Sequence, residues 1–205
     1  MDIHSPLPGR KIDLGSTSYF VHGLVHDTPL VQISRDFKKA ISDKLKDYNT
    51  ICEDGFVDWI ENSASFNEIS YFRLNRFNFF DILKIFFILG HAKLNKRKRS
   101  LTIEKMQKMK TLEDFYSIRE ELFRNYNSEP EGMNSLLSKL GKGTLYNPKG
   151  EFPLRIKRYI YEAKESIKYV QNNNLKELHI VIGCAHEFPL EYLLKNPEIL
   201  DRLNI

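Results

Sequence analysis

The hydrophobic pattern of this chain switches between the alternation of a strand and the longer period of a helix, in the order expected of an α/β fold. Lys11-Ile12-Asp13-Leu14 alternates polar and apolar residues, and Gly15-Ser16-Thr17 carries turn chemistry. Ser18-Tyr19-Phe20-Val21-His22 follows, rich in aromatic and branched residues that suit a pleated surface. From Pro29 to Lys46, the apolar residues Leu30, Ile33, Phe37, Ile41 and Leu45 stand three and four positions apart, the stripe of an amphipathic helix. Asp27 or Thr28 is the expected cap, with Pro29 in the first turn. Tyr48–Cys52 is the next strand. A strand-helix-strand unit of this kind closes by a right-handed crossover onto a parallel strand, so both strands end at the same edge of the sheet.

From about Asp58 to Lys149 the chain is rich in Phe, Asn, Lys and Arg. Helical spacing recurs in Phe77–Leu89, Ile103–Met109 and Leu112–Tyr126, broken at Glu129-Pro130-Glu131-Gly132 and again at Gly141-Lys142-Gly143. The α/β pattern then returns. Pro153–Asn172 carries Ile156, Ile160, Ala163, Ile167 and Val170 on one helical face, and Asn172-Asn173-Asn174 ends it. Glu177-Leu178-His179-Ile180-Val181-Ile182 has the composition of a strand buried on both faces, and Phe188–Lys195 closes the chain as a helix. The predicted architecture is a single α/β domain over residues 1–205, a parallel-rich mixed sheet flanked by helices. Its core spans 10–60 and 150–205, with a mostly helical insertion at about 61–149.

Composition agrees with a soluble globular domain: 41% of the 205 residues are hydrophobic and 28% charged. A net charge of +4 permits nucleic-acid binding without indicating it. Cys52 and Cys184 are too few for a disulfide framework, and no secretory signal is seen at the start, so a reducing cytoplasmic setting is expected. Phe79–Leu89 is shorter than a membrane span and carries Asp81 and Lys84; it reads as a core helix, without a transmembrane segment.

The chemistry sits at the ends of the predicted strands. Gly23-Leu24-Val25-His26 closes the first long apolar run, and Gly183-Cys184-Ala185-His186 closes the last; Glu53 follows the run between them. Gly23 and Gly183 let the backbone turn sharply and pass close to a ligand, and each imidazole three positions later can swing over the strand ends. His26, His186 and Glu53 then converge as ligands of a divalent ion (zinc, manganese or cobalt) or as an acid/base centre. The plainer reading leaves each histidine packed in its loop against a backbone partner. His22 is placed on the strand, with a supporting role open to it, and His179, His91 and His4 have no visible convergent partner. Cys52 and Cys184 read as small buried hydrophobes, and Glu187 as an auxiliary carboxylate or a solvated helix-start residue. Arg155 and Arg158 share one face of the penultimate helix, from which a guanidinium could hold Glu53 or stabilise developing negative charge. Lys96-Arg97-Lys98-Arg99 is the densest positive stretch. It lacks interleaved aromatics and reads as a solvated loop, with contact to phosphates or an anionic membrane surface as the alternative.

The order of these motifs resembles the TraB/PrgY/Tiki family, part of a wider group with erythromycin esterase-like and ChaN-like proteins. There a strand leads into Gly-x-x-His, a Glu ends the next strand, and an Arg-bearing helix precedes a last strand and a second Gly-x-x-His. The matching positions are Gly23 and His26, Glu53, Arg158, and Gly183 and His186, carried by Ser18–Trp59 and Arg155–Leu194. Leu24 stands where the family often has Thr, and Asp54 follows Glu53 in place of an aliphatic residue. The resemblance implies an α/β core and, from the Tiki branch, metal-dependent proteolysis.

The expectation drawn from residues and resemblance together is a metal-dependent hydrolase of peptide or related acyl bonds. His26, His186 and Glu53 hold the ion, Glu187 or His22 acts as base, and Arg158 steadies an oxyanion. The competing expectation is a non-catalytic module that binds or sequesters a peptide or small anion in the same cleft.

Overall fold

A computed structural model describes residues 5–25, 32–53, 56–60, 65–69, 100–126 and 152–202. The first two strands, β1 (Arg10–Leu14) and β2 (Thr17–Leu24), form an antiparallel hairpin. Gly15 turns it at φ +62°, a conformation that glycine adopts without cost. The chain continues through α1 (Arg35–Leu45), β3 (Asn49–Glu53), the single turn α2 (Val57–Ile60) and β4 (Ser65–Ile69). Helices α3 (Ser100–Lys108) and α4 (Leu112–Tyr126) follow, then the long α5 (Phe152–Asn173) and strand β5 (Glu177–Gly183). A single 3-10 turn, Cys184–His186, leads directly into α6 (Glu187–Lys195), and α7 (Glu198–Arg202) is the last described element.

The sheet order is β1-β2-β5-β3-β4, with β1 alone antiparallel. The predicted parallel-rich α/β sheet is thus present, and β5 lies between β2 and β3, parallel to both. The central position explains the apolar run of β5, since both of its faces are covered. On one face Tyr19, Val21, Ile51, Ile180 and Ile182 pack with residues of α5, α6 and α7. On the other, Leu24, Cys52 and Val181 pack with Phe37 and Ile41 of α1, Trp59 of α2, Met106 of α3 and Phe115 of α4. Each fully buried large side chain of these layers contributes roughly 1.5–3 kcal/mol through removal from water.

The described elements modify several expectations. Helix α1 begins at Arg35, and its cap is Ser34, whose hydroxyl accepts from the Phe37 N–H at 3.2 Å. The expected caps Asp27 and Thr28 lie outside the described residues, and Ile33 is buried ahead of the helix. The insertion contributes a strand, β4, to the sheet as well as helices. Gly23 lies inside β2, with Leu24 as the strand's last residue. The stretch Phe77–Leu89 lies outside the described residues. Among the described residues no helix is long and apolar enough to cross a membrane. Cys52 and Cys184 are both buried and unlinked.

His22 and His179 form a buried pair, against the expectation that His179 has no partner. Strand register sets Phe20 beside His179, so alternation brings His22 and His179 to the same face. His22 Nε2 lies 2.8 Å from His179 Nδ1, His22 Nδ1 faces the Pro8 carbonyl at 3.1 Å, and His179 Nε2 faces Glu177 at 2.8 Å. Both ends of this chain of contacts are acceptors, so three hydrogen bonds need three protons, whereas a neutral pair carries two. The contact left unmade in the neutral pair is the one to Glu177, which is half-exposed and has water as a substitute. Burial, and for His22 also the neighbouring His179, pushes His22 down to about 3; burial pushes His179 down to about 4.

Both values lie below the ordinary 6.5, so the stability these histidines contribute is complete above that pH and is lost as the pH falls through the window beneath it. Each accounts for about 1.4 kcal/mol per pH unit in the steep part of that window. Comparison with His179→Gln cancels the titrating groups other than His179 and its neighbour His22. The variant is expected to be less stable than the parent at neutral pH, with the gap narrowing by ~1–2 kcal/mol between about pH 6.5 and 5. Urea unfolding at a series of pH values measures it, and a gap independent of pH would contradict the neutral buried pair.

Candidate functional site

Three parallel strands end together. Gly23 is registered with Ile182, Leu24 with Gly183, and Cys52 with Val181, so Gly23, Glu53 and Gly183 share the carboxyl edge of the sheet. Open α/β sheets bind their ligands at this edge. Alternation along β3 sends Ile51 and Glu53 toward α5 and Cys52 to the opposite layer. Because α5 runs down the sheet before β5 runs up it, the amino-terminal part of α5 lies at the same edge. Arg158 and Glu162, one helical turn apart, meet Glu53 there.

The resulting cluster is dense and dry. Arg158 reaches Glu53 at 2.8 Å through Nη2 and Glu162 at 2.6 Å through Nε. The Gly183 N–H donates to Glu53 Oε2 at 3.1 Å, and His186 Nδ1 lies 2.5 Å from Glu53 Oε1. Tyr159 presents an edge-on ring to His186, with centroids 5.3 Å apart. The side chains of Glu53 and Glu162 are 3% and 1% exposed, whereas His186 is 17% exposed and forms the accessible end of the network. One oxygen, Glu162 Oε2, is buried with no hydrogen-bond partner.

Charge is divided unequally between the two carboxyls. Burial by itself would raise Glu53, but His186, Arg158 and the Gly183 N–H hold it well below the usual carboxylate range. Glu162 goes the other way: burial and the adjacent Glu53 charge push it well above the ordinary value, and Arg158 only partly opposes them. Two carboxyls this close cannot both ionise freely, so Glu53 holds the negative charge and Glu162 is the group that keeps a proton or meets a cation. Arg158 is held more firmly protonated than an ordinary arginine: burial opposes its charge, and Glu53 and Glu162 outweigh it.

A third buried carboxylate lies close by. Glu187 is fully buried at the first position of α6, where the helix terminus favours negative charge. It accepts from the Gly23 N–H at 3.0 Å, from Arg119 of α4 at 2.8 and 3.1 Å, and from Arg10 of β1 at 3.2 Å. Burial raises its pKa, and Arg119, Arg10 and the Gly23 N–H work against that rise. A Cβ on Gly23 would collide with this carboxylate, which is the physical reason for glycine at that position.

The structure therefore brings together Glu53, Arg158, Gly183 and His186, and separately Gly23 and Glu187. His22 is buried one layer away, engaged with Pro8 and His179. His26, the side chain of Arg155 and the run Lys96–Arg99 lie outside the described residues. Glu162, Arg119 and Arg10 were not anticipated. The Arg158–Glu162 spacing is a visible helical ion-pair signal; Arg119 stands 68 positions from Glu187 and has no local signature. Among groups able to hold a metal, Glu53, Glu162 and His186 offer donor atoms within 4.8 Å of one another. No family model, curated protein or solved structure matches the chain.

Removing Arg158 leaves Glu53 and Glu162 buried without their shared counter-charge, so Arg158→Met is expected to cost about 3–5 kcal/mol. Glu162→Gln keeps the shape and removes an ionisable group that resists ionising, and it is expected to change stability by less than about 1 kcal/mol. Denaturant unfolding of the two variants at neutral pH measures the contrast; equal losses would contradict the unequal charge division.

Proposed function

We propose that this chain is a metal-dependent hydrolase of peptide or related acyl bonds, with its reacting centre at Glu53, Glu162 and His186. The observation that carries the reading is the buried Glu162 Oε2, which no donor reaches, beside the ionised Glu53 carboxylate and an accessible imidazole at the carboxyl edge of the parallel strands. Two carboxylates and one imidazole form a donor set suited to zinc, manganese or cobalt, and an orphaned buried oxygen is a group that a cation would satisfy. Bound there, a divalent ion supplies a water acidified toward neutrality and a Lewis acid for the carbonyl. Within the chain, Glu53 orients the His186 ring, the Gly183 N–H fixes Glu53, and Arg158 keeps both carboxylates in place while adding positive charge near a developing oxyanion. A base role is not assigned to Glu187 or His22, because arginines and the Gly23 N–H occupy the oxygens of the one, and Pro8 and His179 flank the other. The resemblance to TraB/PrgY/Tiki proteins supports the same reaction class, and the unlinked cysteines accord with a cytoplasmic setting.

One observation favours a second reading. Arg158 already bonds both carboxylates, so the cluster has a counter-charge of its own. In that case His186, oriented by Glu53 through Nδ1, is a general base acting through Nε2 without an ion, the arrangement of a carboxylate-oriented catalytic histidine.

Calorimetry and elemental analysis separate the two. In the leading reading the parent binds one equivalent of zinc, manganese or cobalt. Glu162→Gln and His186→Ala each weaken binding at least ~10-fold, about 1.4 kcal/mol. Chelation then abolishes hydrolysis of a peptide and ester panel, and added metal restores it. Hydrolysis that survives chelation and disappears in His186→Ala supports the ion-free base. Peptide recovered intact from the metal-loaded parent supports the binding module.

A further inference from the structure

The two glycine-histidine tetrads are anchored in the same way. Gly183 donates its N–H to Glu53, which is held by Arg158; Gly23 donates its N–H to Glu187, which is held by Arg119. The second anchor crosses between the tetrads, because Glu187 directly follows His186 in sequence and pins the glycine of the other tetrad. Contact is close: a Cβ on Gly23 would lie 3.1 Å from the Cα of Cys184 as well as against Glu187. Four elements meet on this single carboxylate, namely β1 through Arg10, β2 through Gly23, α4 through Arg119 and α6 through Glu187 itself.

We propose that Glu187 and Arg119 are positioning residues, which lock the turn carrying His186 onto β2 and onto α4 of the insertion and so hold the imidazole against Glu53. The inference rests on the reading of His186 as the reacting residue. His186 lies between two fixed points: Gly183, three residues before it, is fixed on Glu53, and Glu187, the next residue, on Gly23 and Arg119. Loss of the second fixed point frees the turn at one end while the sheet beneath stays packed. The same lock makes the placement of α4 a determinant of the site's geometry, although among the described residues α4 supplies no contact to Glu53.

Backbone amide exchange in the metal-free protein tests this without requiring either metal or turnover. Glu187→Gln retains an acceptor for the Gly23 N–H but loses the paired charge, and Arg119→Met removes the guanidinium whose Nη2 meets both Glu187 oxygens. Both are expected to lower protection of the Gly183 amide, which touches neither residue, by at least ~10-fold, with the central-strand amide of Ile180 unchanged. Arg119→Lys, which keeps the charge on a shorter side chain without the planar guanidinium, is expected to fall between. If the reading of the site also holds, both variants lower kcat of the metal-loaded protein at least ~10-fold with KM altered less than about threefold. Protection of Gly183 equal to that of the parent would overturn the proposal, whatever the melting temperature does. A loss confined to the Gly23 amide would overturn it equally, as a purely local structural role. Failure of the hydrolase reading appears instead as absent metal binding or turnover in the parent, and the exchange result decides the positioning role independently of it.

Discussion

The structure depends on keeping a charged carboxylate dry at the end of a central strand. Removing an ion of this size from water costs several kcal/mol even after relaxation, and only near-complete compensation makes it tolerable. Glu53 receives that compensation from a guanidinium of α5, the backbone N–H that ends β5 and the imidazole of the turn after it, all far from Glu53 in sequence. The requirement fixes more than the site. It sets the rotation of α5, which must present Arg158 and Glu162 at its amino-terminal end while Ile160, Ala163 and Val170 pack onto the sheet below. It also sets the termination of β5, since a backbone N–H must point at the carboxylate where the strand ends.

Much of this was legible in the chain because strand ends and apolar stripes are local signals. The alternation before Gly23, the doubly buried run before Gly183 and the helix from Pro153 onward all report burial along a single element, and the elements appear where their periods place them. The start of α1 was misread for a specific reason. Leu30 and Ile33 continue the helical spacing, yet Ile33 is buried from outside the helix, so spacing alone cannot place the helix start. Ser34, three residues before Phe37, was the better signal. Strand β4 escaped notice because Asn67-Glu68 interrupts the alternation in an element of five residues.

The site divides along the same line. Glu53, Gly183, His186 and Arg158 lie at ends or faces that periodicity defines. Glu162 stands at ion-pair spacing from Arg158, but an arginine and a glutamate one turn apart on a helix ordinarily face water, and only the depth of this pair reveals its chemistry. Arg119 required knowledge of which helix face meets the sheet edge, and the His22–His179 contact required the register of β2 on β5. Both are properties of pairing between segments, which no pattern within one segment encodes.

The two carboxylate anchors at this edge, Glu187 and the Glu53–Glu162 pair, differ in what they have left to give. Every oxygen of Glu187 meets a donor: two guanidiniums and a backbone N–H converge on it, and the group is sealed from solvent. A carboxylate so occupied has no lone pair to lend to a substrate proton without dismantling the contacts that hold four elements together. Glu53 and Glu162 share a single guanidinium, leave one oxygen without a partner, and connect to an imidazole that reaches the surface. Unsatisfied polarity inside a packed protein is costly, and in a cluster that is otherwise so fully bonded it marks the place where a proton or a cation belongs. Saturation of the Glu187 oxygens therefore gives that carboxylate a structural part, and the open Glu162 oxygen leaves chemistry to the other cluster.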